Sequence, residues 1–181
     1  MIISIFNKKG GVGKTSLSFS LARDLKYFLI SNDDSVIELC YEGKAKIMQE
    51  PKIIDNCIYD FGGFVTPHIS HILEISNYII VPLTSDLNSL KKTVQTVKEI
   101  NSTNIVFVAN KSEKEDFKEI ENYLESHFKF PIFEVKNSRI WAKTFKEKKS
   151  VSEIKNESKI NSYVYKNSIS GYEDLLKYLK K

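Results

Sequence analysis

The strongest constraint on the fold of this 181-residue chain is a glycine-rich loop near its start. A mostly apolar run at 2–6 leads into Asn7-Lys8-Lys9-Gly10-Gly11-Val12-Gly13-Lys14-Thr15-Ser16, and leucines then recur at positions 17, 21 and 25. The run predicts a buried strand, and the leucine spacing predicts an amphipathic helix. A glycine-rich loop between a strand and a helix is typical of a phosphate-binding site, because its backbone N–H groups and the helix N-terminus attract anions.

The side chains of the loop predict a nucleoside triphosphate and magnesium as ligands. Lys14 is placed to reach the β- and γ-phosphates, and the hydroxyl of Thr15 is placed to ligate a bridging magnesium ion. The remaining phosphate contacts are expected from Gly10, Gly11, Val12, Gly13 and Ser16. The alternative is a glycine-rich turn that binds no ligand.

The rest of the chain predicts an α/β fold with a doubly wound, mostly parallel sheet and helices on both faces. Strands are expected at 1–6, 28–31, 56–60, 78–82, 105–109 and 132–135. Helices are expected at 15–26, 67–75, 87–100, 116–128, 139–148 and 171–180. Several strands are continuous apolar runs, as in a sheet buried on both faces. No linker divides the chain, so 1–181 is expected to form a single domain, although 35–54 shows no assignable pattern.

Composition favours a cytoplasmic protein. Hydrophobic residues make up 41% of the chain, enough to build a core without disulfides. Cys40 and Cys57 lie outside any C-x-x-C or Cys/His cluster, which argues against a zinc or iron–sulfur site. No apolar stretch approaches the roughly 18 residues of a membrane-spanning helix.

The segment from Lys9 to Thr15 resembles the deviant Walker A motif of the ParA/MinD ATPases, and within them the short ParA-like partition ATPases. In this family a lysine just before the two glycines crosses a dimer interface to the phosphates of the partner's ATP. The resemblance therefore implies an ATP-dependent homodimer, with Lys9 and Lys14 in catalytic as well as ATP-binding roles. The first glycine of the usual motif is replaced by Lys8, and the alternative is that both neighbouring lysines are solvated loop residues.

Asp60, in Tyr59-Asp60-Phe61-Gly62-Gly63, resembles the Walker B aspartate of the family. The resemblance implies that Asp60 holds a magnesium-bound water. The two glycines after it resemble the switch segment, where a backbone N–H can approach the γ-phosphate.

Asp33, in Ser31-Asn32-Asp33-Asp34, matches the second aspartate of the family's Asp-x-Asp-Pro segment. The match implies that Asp33 is catalytic and helps to position the attacking water and magnesium. Ser31 stands in place of the first aspartate and brings no charge, so the hydrolysis rate is the property most affected. The register that puts Asp34 in the catalytic place stays open.

Asn110 follows the predicted strand at 105–109. Its amide is suited to reading an adenine edge, and the alternative is a turn that ends the strand.

Positive charge is concentrated in the last quarter of the chain. Residues 136–181 hold 12 basic and 5 acidic residues, a net of +7, while the whole chain carries +4. Such a face is typical of polyanion binding, and the resemblance implies nonspecific DNA as the partner. The candidate DNA-binding residues are Arg139, Lys143, Lys146, Lys148 and Lys149.

The resemblance further implies weak intrinsic ATP hydrolysis, stimulated by a centromere-binding or cargo adaptor protein, and a nucleoid-associated location in the cytoplasm. The main alternative is a MinD-like regulator that cycles on a membrane. It needs a terminal amphipathic anchor, of which 172–181 is a weak version with two acidic residues. A metabolic ligase or kinase on the same scaffold is a third class, but no small-substrate constellation is visible.

Overall fold

A computed structural model describes residues 1–63, 66–100, 102–113 and 116–181. The strands are β1 (Ile2–Phe6), β2 (Phe28–Ser31), β3 (Ala45–Ile47), β4 (Cys57–Phe61), β5 (Tyr78–Leu83), β6 (Ile105–Ser112) and β7 (Ile132–Lys136). The helices are α1 (Lys14–Leu25), α2 (Ile37–Cys40), α3 (Pro67–Ile75), α4 (Leu87–Ile100), α5 (Asp116–Glu125), α6 (Ile140–Glu147), α7 (Val151–Glu157), α8 (Lys159–Val164) and α9 (Lys166–Leu179).

The strands form one seven-stranded sheet in the order β3-β2-β4-β1-β5-β6-β7. Every pairing in it is parallel. Helices α1, α2, α6, α7 and α9 pack on one face of the sheet, and α3, α4 and α5 pack on the other. The structure therefore confirms the predicted doubly wound α/β fold.

The strand order brings the predicted site together. Strand β1 lies between β4 and β5, and β4 also pairs with β2. Asp60 on β4 stands opposite Ile5 on one side and Ser31 on the other. Because the strands are parallel, the loops that follow β1, β2 and β4 all leave from the same side of the sheet, at the carboxyl ends of its strands.

The differences from the predicted elements lie mainly in the second half of the chain. Helix α9 begins at Lys166 rather than at 171, and α7 and α8 fill a segment with no predicted helix. Strand β6 runs on to Ser112, so Asn110 lies inside the strand rather than after it. The unassigned segment 35–54 contains the short elements α2 and β3.

Candidate nucleotide site

The loop after β1 has the backbone shape that its glycines predict. Gly13 is the N-cap of α1 with φ of 87°, in the left-handed region that favours glycine. A Cβ on Gly13 would also lie 2.1 Å from Nδ2 of Asn110. Both the torsion angle and the contact with β6 therefore require glycine at this position.

Asn7 anchors the start of the loop. This fully buried side chain donates through Nδ2 to the carbonyl of Pro82 and to the hydroxyl of Thr93, both at 2.9 Å. Its Oδ1 accepts the backbone N–H of Lys9 at 2.9 Å. The backbone at Lys9 is thus fixed against β5 and α4 before any ligand binds.

The two neighbouring lysines of the loop have different environments. The ammonium of Lys8 pairs with Glu99 on α4. Lys9 makes no ion pair within the described residues. Hydrogen bonds from Thr84 and Ser89 lower the pKa of the exposed Asp86 carboxyl, and the charge of Lys9 makes a smaller contribution to that shift. Lys9 is therefore the one of the two whose ammonium is not committed to another helix.

Most of the residues predicted for phosphate or metal binding line one cavity of about 320 Å³. That volume lies within the usual range of small-molecule sites. The lining includes Gly10, Gly11, Gly13, Lys14, Thr15, Ser16, Asp33 and Asp60. Val12 and Asn110 do not line the cavity, and the side chain of Asn110 is hydrogen-bonded to the backbone of Val12. A larger cleft of about 670 Å³ between β7 and α9 contains none of the predicted site residues.

Lys14, which is half-buried, and Asp60, which is buried, are groups of opposite charge at this cavity. Burial lowers the pKa of Lys14, and the negative charges of Asp60 and Asp33 oppose that shift. Burial raises the pKa of Asp60, and the nearby hydroxyls of Thr15 and Ser18 together with the charge of Lys14 oppose it. Each group is thus partly neutralised by the other in the absence of ligand.

The residues around Asp60 fit a magnesium ion. Asp60 is 1% exposed, and neither of its carboxylate oxygens accepts a hydrogen bond of good geometry within the described chain. A buried carboxylate without partners is costly, and a hard cation that prefers oxygen ligands would satisfy it. The hydroxyl of Thr15 and the carboxylate of Asp33 line the same cavity and supply further oxygens.

Asp33, and not Asp34, lines the cavity. The Oδ2 atom of Asp33 lies only 2.5 Å from the position that a Cβ on Gly62 would occupy. The Asp33 carboxylate is therefore packed against Gly62, the first of the two glycines after β4. The hydroxyl of Ser31 donates to the carbonyl of Asp33 at 3.2 Å and accepts its N–H at 3.1 Å. Ser31 thus shapes the turn that carries Asp33 to the cavity, and the catalytic role of Asp33 stays a prediction.

Asn110 is hydrogen-bonded to the backbone of the phosphate loop. Its Nδ2 donates to the carbonyl of Val12 at 2.8 Å, and its Oδ1 accepts the backbone N–H of Lys111 at 3.0 Å. An adenine contact, which stays a prediction, would have to use the remaining hydrogen or lone pair of this amide. The Lys111 ammonium donates to the carbonyl of Gly11 at 3.1 Å and lines the cavity.

The five candidate DNA-binding residues lie in and around α6, apart from the cavity. Three of them have acidic partners: Lys143 with Glu147, Lys148 with Glu42 and Lys149 with Glu157. Within the described chain, Arg139 and Lys146 are exposed and make no ion pair.

Three residues of the site were missed by the sequence reasoning: Asn7, Asn32 and Lys111. Each acts through a partner far along the chain, such as Gly62 for Asn32 and Gly11 for Lys111. A lone Asn or Lys carries no pattern that would reveal such a contact. For Lys111, its position directly after the singled-out Asn110 was the available signal.

The chain matches the family model described as the CobQ/CobB/MinD/ParA nucleotide binding domain over residues 3–160, and it therefore belongs to that family. No curated protein matches the chain in sequence.

Solved structures with the same fold cover nearly the whole chain. MinD from Pyrococcus horikoshii, complexed with Mg-ADP, is similar with a TM-score of 0.74 and 13% identity, over 99% of this chain and 96% of that one. Apo McdA from Cyanothece gives 0.72 and 13%, over 97% and 99%. A putative plasmid partition protein from Borrelia burgdorferi, bound to AMPPNP, gives 0.69 and 16%, over 99% and 98%.

Proposed function

We propose that this protein is a ParA-type ATPase that binds ATP and magnesium, dimerises around them, and binds nonspecific DNA to position a plasmid, a chromosome or another cargo. Hydrolysis is weak in the isolated protein and is stimulated by a centromere-binding or cargo adaptor protein. The protein works in the cytoplasm on the nucleoid. The observation that carries the proposal is the meeting of Lys14, Asp33 and Asp60 at one cavity beneath a phosphate loop that carries Lys9.

Each residue has a distinct task in this proposal. The loop backbone and Lys14 hold the phosphates, and Thr15 and Asp60 hold the magnesium ion. When bound, that ion neutralises charge on the β- and γ-phosphates. Asp33 orients the attacking water, and Lys9 of each subunit reaches the phosphates bound by the other.

Exposed apolar side chains at the same edge of the sheet support dimerisation through this face. Leu87, at the start of α4 beyond the carboxyl end of β5, is 81% exposed. Val36 and Leu39, beyond the carboxyl end of β2, are 50% and 67% exposed. Exposed apolar side chains are suited to a face that closes against a second copy.

The packing of α9 argues against the use of this helix as a membrane anchor. Its apolar side chains, Ile169, Tyr172, Leu175, Leu176 and Leu179, belong to the core against the sheet. If α9 itself were a membrane anchor, it would have to remove these side chains from the core before it could enter a lipid surface. Within the described ranges, no helix is long and apolar enough to cross a membrane.

The five candidate DNA-binding residues in and around α6 form a basic region, and the ion pairs of that region are compatible with DNA binding. The pair of Lys148 with Glu42 is largely exposed to solvent, and the pair of Lys149 with Glu157 is partly exposed. Water screens such pairs and keeps them weak, so a DNA phosphate can replace the carboxylate partner. The fold shared with a putative plasmid partition protein agrees with this proposal.

Binding to random-sequence duplex DNA tests the proposal. Changing Lys143, Lys146, Lys148 and Lys149 to Gln should weaken ATP-dependent DNA binding and flatten its salt dependence by about 0.9 in log–log slope for each lost phosphate contact. The matched control changes four exposed lysines outside that region, Lys91, Lys98, Lys118 and Lys129, and should bind as the wild type does. A wild-type protein that sediments with liposomes and ignores DNA would overturn the proposal in favour of the MinD-like alternative.

A further inference from the structure

Asn32 connects the two loops that flank the predicted position of the γ-phosphate. It lies between Ser31, the last residue of β2, and Asp33. Its side-chain Oδ1 accepts the backbone N–H of Gly62 at 2.8 Å, and its Nδ2 donates to the carbonyl of the same glycine at 3.2 Å. One amide thus satisfies both backbone groups of the first switch glycine.

The contact lies at the nucleotide cavity itself. Gly62 lines that cavity together with Lys14, Asp33 and Asp60. The backbone N–H of Asn32 also donates to the carbonyl of Asp60 at 3.4 Å, which adds a second link between the loop after β2 and the end of β4. The Gly62 N–H, a backbone donor at the cavity, is therefore already engaged before nucleotide binds.

We propose that Asn32 is a positioning residue that lowers the affinity for ATP and leaves the affinity for ADP unchanged. Its amide has to release the Gly62 N–H before that group can donate to a γ-phosphate. The inference rests on the proposed function of the cavity. A charged phosphate oxygen is a stronger acceptor than a neutral amide oxygen, so a triphosphate wins the exchange. ADP has no γ-phosphate and leaves the contact intact.

The exchange has a cost that falls on ATP alone. A hydrogen bond between neutral groups contributes about 0.5–1.5 kcal/mol, so its loss weakens binding by a factor of about three to ten. Asn32 therefore keeps the switch segment in its nucleotide-free position unless a γ-phosphate is present. Ordering of a switch segment by a γ-phosphate is a known way to couple nucleotide state to a surface.

Calorimetric titration with two nucleotides tests the inference. Asn32→Ala should bind AMPPNP with magnesium about three to ten times more tightly than the wild type, with ADP affinity unchanged. Asn32→Asp keeps the acceptor oxygen and should show no such gain. The matched control is Asn77→Ala, which removes an acceptor of the Ile2 N–H at 2.7 Å at the opposite edge of the sheet. It should leave the ratio of the two affinities unchanged.

A spectroscopic measurement on the wild type covers the case in which Asn32→Ala does not fold. The Asn32 side-chain amide and the Gly62 backbone amide should shift strongly in NMR spectra on addition of AMPPNP with magnesium, and little with ADP. Equal shifts with the two nucleotides, or equal changes in both affinities for Asn32→Ala, would overturn the inference. If the wild type binds neither nucleotide, the proposed function itself fails. If it binds AMPPNP and Lys14→Ala does not, the nucleotide site of the proposed function stands whatever Asn32 does.

Discussion

At the scale of single residues, Asp60 shows a conflict between stability and function. Its carboxylate is buried without hydrogen-bond partners of good geometry in the described chain, and burial raises its pKa. The folded protein therefore binds a proton at this group more readily than the unfolded chain does. Such a cost is tolerated at a site where a cation later supplies the missing partner.

Asp60→Asn should stabilise the nucleotide-free protein at neutral pH by about 1–3 kcal/mol, because the cost of burying the carboxylate outweighs the opposing effects of Lys14, Thr15 and Ser18. The group's pKa is raised on folding, so its ionisation costs stability as pH rises above the unfolded value of about 3.9. Urea unfolding at pH 7 and at pH 3.5 checks the sign, since the two proteins should differ at the first and converge at the second. An Asn variant less stable than the wild type at pH 7 would contradict this account.

Asp33 and Asp34 are adjacent carboxylates of which only Asp33 lines the cavity. Asp33→Ala should bind ATP but hydrolyse it at least about tenfold more slowly, because the phosphate loop is untouched and the water loses its orienting group. Asp34→Ala should change the rate less. Single-turnover hydrolysis of both variants decides the register, and the reverse order would assign the catalytic place to Asp34.

Residues with local chemistry were predictable from the sequence, and residues that act through distant contacts were not. The phosphate loop and Asp60 were predictable because their chemistry is local to a strand end and a helix start. Asn32 was not, since its partner Gly62 lies 30 residues away and no periodic pattern marks the pair. The roles assigned to all the site residues stay predictions, because they concern contacts with a nucleotide, a metal ion and a second subunit.

At the scale of helices and strands, the end of the chain shows what local patterns miss. Helix α8 has no buried residues, so its sequence has no apolar spacing that would predict a helix. Helix α7 begins with a capping box in which Ser150 and Glu153 bond each other's backbone N–H, and the Ser-x-x-Glu spacing was a readable signal. The hydroxyls of Ser152 and Tyr172 both donate to Asp24 of α1 at 2.7 Å, a tertiary link that sequence cannot show.

Gly171 lets α9 lie close against β7. A Cβ at this position would stand 1.7 Å from the carbonyl oxygen of Glu134, a backbone atom that cannot turn aside. Gly171→Ala should therefore lower the free energy of unfolding by about 1–3 kcal/mol, although alanine is the better helix former.

Urea unfolding of Gly171→Ala beside Ser170→Ala checks this packing. Ser170 is exposed on the same helix, and its change should stay within about 0.5 kcal/mol of the wild type. A Gly171→Ala protein as stable as the wild type would show that α9 and β7 are not in close contact.

At the scale of the whole molecule, α1 joins the two regions on which the proposed function depends. Its N-terminus closes the phosphate loop, and its last turn carries Arg23 and Asp24. Arg23 donates two hydrogen bonds to Glu153, at 2.7 and 2.9 Å, and Asp24 accepts bonds from α7 and α9. Helices α7 and α9, which follow the candidate DNA-binding residues along the chain, are thus fixed to the helix that follows the glycine-rich loop.

The central claim is that Lys9 completes a nucleotide-dependent dimer. Light scattering during size-exclusion chromatography, with magnesium and either AMPPNP or ADP, measures it directly. The wild type should run as a 20.9 kDa monomer with ADP and at twice that mass with AMPPNP. Lys9→Ala should bind AMPPNP and remain monomeric, whereas Lys8→Ala, whose ammonium pairs with Glu99, should dimerise as the wild type does. A Lys9→Ala protein that dimerises normally with AMPPNP would contradict the account.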